Sequence, residues 1–288
     1  MIKIIILIII FIICYFIFHE QKYITYPKYE KFTKEKATSI MKKYNVIFVA
    51  TCRNVEAYLE KNINNIEECA KKFNDYCVII YENDSKDNTR NILNRVKKLN
   101  YYYIFEDNIK EPRRTKRIER GRNLILDKVR ELNVNNKYQY LIVLDIDDVN
   151  SEGLFVKNID TCFMVDDWDV LTSNQNGKYY DLWALRIKTY YDFDCLYFME
   201  KKDFSISSIL TGLIQLYKSN FYFKPQNFIE VESAFGGTAI YKLSSIPQHC
   251  KYVGEYSDGT EKCEHVEFNE CIKNNGGKIY INTSFINY

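Results

Sequence analysis

Four short apolar runs, each closing on polar or acidic side chains, constrain the fold of this chain more than any other feature. They are VIFVAT (46–51), YCVIIYE (76–82), YYYIFED (101–107) and YQYLIVLDID (138–147). Runs of this length, rich in β-branched and aromatic residues, read as buried strands. Helix-length segments separate them. Residues 56–73 place Ala57, Leu59, Ile63, Ile66, Cys69, Ala70 and Phe73 on one broad face. A second helix is expected over 87–99, capped by Asp84 or Ser85, and a long basic one over 113–133. Strands alternating with helices predict a parallel α/β sheet. The second half is less regular, with short β-like pieces (DVLTSN, YYDLWALR, FGGTAIYKL, KIYINTSFI) and no repeat.

In a sheet of this kind ligands bind beyond the carboxyl ends of the strands. The ends here are TCRN, ENDSKDNT, EDN and DIDD, polar and mostly acidic. The fourth crowds Asp145, Asp147 and Asp148 onto one strand end. Like charges so close are costly to bury unless something positive neutralises them. Asp145 and Asp147 point to the same side if the strand continues through them. Two carboxylates at that spacing can hold Mn2+ or Mg2+ and leave coordination positions open for phosphate oxygens.

The chain has 288 residues, 47% hydrophobic and 27% charged, with a formal net charge of +2. That is ordinary globular composition. No basic stripe with interleaved aromatics is present, so nucleic acid is not an expected partner. Residues 1–18 carry one charge, Lys3, and no small-residue cleavage site follows. They are expected to be an uncleaved membrane anchor of a single-pass protein. The lysines that follow argue for a cytosolic domain, whereas a Golgi- or ER-type enzyme, or one on a host or viral membrane, leaves the sidedness open. Residues 19–44 read as a stem and 45–288 as one domain. Nine cysteines with no CxxC make a poor disulfide framework, and Cys52, Cys77 and Cys162 read as buried thiols. Sequons lie at Asn83 and Asn282.

The order VIFVATCRN, IIYENDSKDNT, RIERGRN, LIVLDIDDV resembles the nucleotide-binding half of GT-A glycosyltransferases, which have a Rossmann-like fold. It is most similar to the CAP59-like fungal mannosyltransferases and their viral relatives, over roughly residues 45–288. YYDLWALR and the closing CEHVEFNECIKNNGGKIYINTSFINY resemble later segments of that group. The DIDD is more acidic than the pair those proteins carry. The resemblance implies a metal-dependent transferase moving a sugar from a nucleotide-diphosphate donor to a glycan or glycoprotein acceptor. It implies that Thr51, Arg53, Asn54, Asp84, Arg117, Arg122 and Asn123 contact the nucleotide and diphosphate. Asp181 and Arg186 would contact the donor sugar, with Trp183 a wall of that pocket. Asp145 and Asp147 would be the metal pair, joined by His265, and Asp148, a second catalytic candidate, would orient the turn or approach the donor sugar. Gly236 and Gly237 offer a strand break where backbone can approach a sugar closely. Glu264 would be the catalytic base, and for Glu264 and His265 to serve one site a loop is expected there.

Two other readings compete. DIDDV fits the nucleophile motif of haloacid-dehalogenase-like phosphatases, in which the first aspartate attacks phosphate. That motif normally follows the first strand, however, and the class also needs a downstream lysine. A catalytically inactive, membrane-tethered glycan-binding protein is the non-enzyme alternative.

Overall fold

The computed structural model describes residues 25–27, 31–188, 190–197, 212, 221–224 and 227–288. The four apolar runs form β2 (Asn45–Cys52), β3 (Asp75–Asn83), β4 (Tyr101–Glu106) and β5 (Tyr140–Asp145), all parallel, in the order β5-β2-β3-β4. Strand β5 stops at Asp145, two residues earlier than expected. The interposed helices are α2 (Glu56–Ala70), α3 (Thr89–Arg95) and α4 (Arg114–Leu132). Helix α3 starts later than expected, because Asp87 rather than Asp84 or Ser85 accepts a first-turn amide, that of Thr89 at 3.0 Å.

Alternation along the strands sorts side chains onto two faces, each covered by helices. Ile47, Val49, Ile79, Leu141 and Val143 pack with Ile125, Leu126 and Val129 of α4 and with Val266, Phe268 and Ile272 of α6 (Glu264–Asn274). Val46, Phe48, Val78, Ile80, Ile142 and Leu144 pack on the other face with Leu59, Ile63 and Ile66 of α2. Strands buried on both faces read as continuous apolar runs, which is how these appear in the sequence.

The sheet continues into the second half without a break. β8 (Thr238–Lys242) runs antiparallel between β5 and β6 (Val170–Asn174). β9 (Ile279–Ile286) lies parallel to β6, and β7 (Asn227–Glu230) and β1 (Thr25–Pro27) complete a mixed nine-stranded sheet. Between β5 and β6 lies the short α5 (Leu154–Asn158).

Part of the segment read as a stem is built into this domain. Besides β1, it contributes α1 (Lys34–Met41), whose Ala37 and Met41 are fully buried against the α2 face. The expected membrane anchor, residues 1–18, lies outside the described residues. The expected single-pass placement is corrected: among the described residues no helix is long and apolar enough to cross a membrane. A disulfide, Cys250–Cys271, also departs from the expectation, tying α6 to the loop before it. Cys52, Cys77 and Cys162 are buried thiols, as expected. Both sequon asparagines are buried, Asn83 at the end of β3 and Asn282 within β9. A glycan at either would require the local fold to open.

Because α1 fills the core, Met41→Ala should destabilise the domain by about 2–5 kcal/mol, the cost of a large-to-small core substitution. Urea denaturation checks this; a loss below ~0.5 kcal/mol would mean α1 does not contribute to the core.

Candidate active site

The parallel strands follow the doubly wound order in which a crevice opens where neighbouring connections diverge, here between β2 and β5. Thr51 and Asp145 are paired across that point. A cleft of about 530 Å³ opens there. The β2 and β3 ends supply Thr51, Cys52, Arg53 and Asn83, the start of α4 supplies Arg114 and Arg117, and the β5 turn supplies Asp145 and Asp147. The opposite wall comes from the second half, through Tyr180, Asp181, Trp183, Phe235, Glu264 and His265.

The floor is carboxylate-rich. Arg122, only 5% exposed, joins two of its acids. Its Nε donates to Glu264 Oε1 at 2.8 Å and its Nη2 to Asp145 Oδ1 at 3.3 Å. The guanidinium lies 5.3 Å from the Phe235 ring centroid and 5.7 Å from that of Tyr252. Four acids, Asp145, Asp147, Asp181 and Glu264, share the cleft with four arginines, Arg53, Arg114, Arg117 and Arg122, of which Arg122 alone is buried. Burial raises the Asp145 carboxyl to about 7; Arg122 opposes the rise, and Asp147, Asp181 and Glu264 add to it. Burial also raises Asp147, against a hydrogen bond from the Val149 amide. Asp181 is raised by burial too, although it accepts the Gly236 amide at 2.8 Å.

Hard carboxylate oxygens facing an open cleft are a donor set that fits Mn2+ or Mg2+. His265 is a more ambiguous member. It is 2% exposed, stacks on Phe235 at 3.8 Å, and has no hydrogen-bond partner at either ring nitrogen. Burial, then the charge of Arg122, holds its pKa well below the usual value, so the ring is neutral, the form that binds metal. Yet Asp145, Asp147 and His265 do not close on one point. Among the described residues, the group of three whose possible ligand atoms lie within 4.8 Å of one another is His249, Cys250 and Cys271. The disulfide removes both of those thiolates.

Several expected contacts turn out to be structural. Asp84, at φ +48°, accepts the backbone amides of Asn108 at 2.6 Å and Ile109 at 3.2 Å, closing the turn after β4. Asn54 bonds Ser85 and Lys86 and knits two loops together. Asn123 clamps both backbone groups of Tyr252, at 3.0 and 2.9 Å. Arg186 is buried and bonds Trp183 and Leu185 carbonyls and Asp194. None of these lines the cleft, nor does the exposed Asp148. Asn83, beside Asp84, lines it instead.

Gly236 and Gly237 do not line the cleft; they hold its floor. Both have positive φ, +69° and +86°, and a Cβ on either would meet a neighbour at 2.6 Å. Their turn presents the Gly236 amide to Asp181 and the Gly237 carbonyl to the Asp145 amide, at 2.9 Å. Asn150, fully buried, donates to the carbonyls of Asp145 and Gly237 at 2.9 and 2.8 Å. Gln175 and Asn287 bond the Gly236 carbonyl. Nothing in the local pattern of Asn150, Gln175 or Asn287 marks them, because they meet only through the sheet. The expected loop at Glu264 and His265 is the first turn of α6, where successive side chains diverge by about 100° rather than 180°. Both therefore reach one cleft without a loop.

No protein-family model and no curated protein sequence matches the chain. Solved structures do. The chain is similar to a mannosyltransferase from Pyrobaculum calidifontis in complex with GDP-Man and Mn2+, at 11% identity and a TM-score of 0.46, over 97% of this chain and 63% of that one. It is similar to glucosyl-3-phosphoglycerate synthase from Mycobacterium tuberculosis in complex with UDP, at 12% identity and 0.38, over 75% and 62%. A third is S. aureus TarS in complex with UDP-GlcNAc, at 12% and 0.40, over 82% and 55%. These neighbours are glycosyltransferases of nucleotide sugars. The chain spans less than two thirds of the length of each, and such values carry no residue roles across.

The raised Asp145 sets a pH dependence. The folded state holds its proton more tightly than the unfolded state does. Its contribution to stability is therefore complete below the unfolded pKa and is lost as pH rises through about 7. Relative to Asp145→Asn, the metal-free protein should lose melting temperature from about pH 5 to about pH 8. Stabilisation by Mn2+ should grow over the same range, since the cation needs the ionised acid. Differential scanning fluorimetry at fixed ionic strength checks both; parallel wild-type and Asp145→Asn profiles would contradict the assignment.

Proposed function

We propose that the protein is a metal-dependent glycosyltransferase of the GT-A type, transferring a sugar from a UDP- or GDP-sugar to a hydroxyl of a glycan or glycoprotein. The observation that carries this reading is the carboxylate pair at the β2–β5 crevice, Asp145 at the strand end and Asp147 in the turn after it, in one cleft with the guanidinium groups of Arg53, Arg114 and Arg117. Asp145 and Asp147 would hold Mn2+ or Mg2+. Such a cation would neutralise the diphosphate leaving group.

The chain's own groups divide the remaining work. Thr51, Arg53 and Asn83, at the β2 and β3 ends, take the nucleoside side. Arg114 and Arg117 lie at the mouth, where guanidinium groups suit phosphate oxygens. Asp181, its carboxylate oriented by the Gly236 amide, takes the sugar side. Glu264 accepts the proton of the acceptor hydroxyl as its oxygen bonds the anomeric carbon and the bond to diphosphate breaks. Arg122 orients that carboxylate through its Nε–H. The phosphatase alternative lacks support in the cleft: among the described residues that line it there is no lysine. The resemblance to CAP59-like mannosyltransferases makes GDP-mannose the first donor to test.

Asp145→Ala and Asp147→Ala should each abolish Mn2+-dependent binding of nucleotide diphosphate by calorimetry while the protein stays folded. Unchanged affinity in both would refute the reading. Glu264→Gln should lower turnover by roughly 10²–10⁴-fold, the scale of a general base, with donor affinity little altered. Wild-type turnover in that variant would place the base elsewhere or indicate retention of configuration.

A further inference from the structure

Trp183 forms part of the cleft wall next to Asp181, and its one polar atom is already engaged. The indole Nε1 donates to Asp194 Oδ2 at 3.0 Å. The same oxygen receives Tyr256 Oη at 3.0 Å and Arg186 Nη2 at 3.4 Å. Asp194 Oδ1 accepts the Leu196 amide at 2.8 Å. Asp194 is 7% exposed and Arg186 4% exposed. Arg186 in turn bonds the Trp183 carbonyl at 3.0 Å, so the backbone and the ring edge of Trp183 are held from one centre. A buried carboxylate with four donors around it is a rigid support.

With its N–H turned to Asp194, Trp183 has only hydrocarbon left to offer the cleft. An apolar ring beside the Asp181 carboxylate suits a ligand part with both a C–H face and hydroxyls. On the proposed reading of the cleft the nucleoside side is at the β2 and β3 ends, whereas Trp183 belongs to the wall from the second half. We infer that Asp194 is a positioning residue that fixes Trp183 as a platform for the apolar face of a pyranose ring, so that it governs affinity for the sugar and not for the nucleotide. This rests on the nucleotide-sugar reading of the cleft. It also gives Arg186 a role: the arginine reaches the sugar site only through Asp194 and Trp183.

The test measures, on the full chain with Mn2+, the affinities of UDP, GDP, UDP-glucose and GDP-mannose by calorimetry. Wild type should bind one nucleotide sugar more tightly than its free nucleotide. Asp194→Asn should reduce that sugar-dependent margin by about tenfold, the size of one aromatic stacking contact, and leave nucleotide affinity unchanged. Trp183→Leu should do the same, and adding Asp194→Asn to it should cost nothing more, because one residue acts through the other. Equal loss of nucleotide and nucleotide-sugar affinity, or additive losses in the double variant, would overturn the inference while leaving the reading of the cleft intact. No binding of any of the four by wild type would instead sink that reading. If Asp194→Asn does not fold, Tyr256→Phe removes one of the four donors and should shift the margin in the same direction; no shift there would overturn the inference.

Discussion

The buried guanidinium of Arg122 is the contact on which the rest of the site depends. It rises from α4, in the first half of the chain, and bonds Asp145 at the end of β5 and Glu264 at the start of α6. A consecutive helix and strand of the first half and a helix near the end of the chain thus converge on one charge. A buried ion pair contributes little net stability over an apolar substitute, because desolvation offsets the attraction, but losing one partner leaves an uncompensated charge. Arg122 thereby makes the position of α6 conditional on the β5 acids. Asp147 and Asp181 accept backbone amides, of Val149 and Gly236, in place of a side-chain cation. Carboxylate oxygens so placed at an open cleft suit a divalent ion.

A second constraint is the Gly236–Gly237 turn at the start of β8. Only a chain free to adopt positive φ at two successive positions can turn there without its Cβ atoms striking Ser173 and Val149. The turn brings an amide to Asp181 and a carbonyl to Asp145, and so sets the spacing of two floor carboxylates. Buried amide side chains from three separate segments, Asn150, Gln175 and Asn287, satisfy its carbonyls. Such networks are stable only when complete. The glycines act here by placing other groups, not by approaching a ligand themselves.

What local pattern could and could not reveal follows from these contacts. The strands of the first half are legible because both their faces are buried. The run ending in DIDD is legible because crowded carboxylates are costly and so chemically informative. Arginine 122 stands in a run of basic residues with nothing local to set it apart from Arg120, which pairs with Glu106 at the surface. Asp84 and Asn123 carry side chains apt for a ligand, yet their oxygens go to backbone amides, as most such groups do. Asn83, which does line the cleft, closes β3 in the same polar stretch as Asp84, and local pattern does not choose between the two. The aspartate at 194 and the tyrosine at 256 are 62 residues apart and joined by one hydrogen bond.

The amino-acid order by itself determined the parallel βαβ half, the position of its carboxyl ends and the acidic pair at the fourth of them. These follow from hydrophobic period and local charge, which are properties of neighbours along the chain. Tertiary structure alone decided that α1 belongs to the core, that Glu264 and His265 open a helix, and that Arg122 spans Asp145 and Glu264. It also decided which polar residues face the cleft and which are spent on backbone. The physical reason is that hydrogen-bonding capacity is the same wherever a side chain lies. Whether it is left for a ligand depends on which distant segment the folded chain brings beside it.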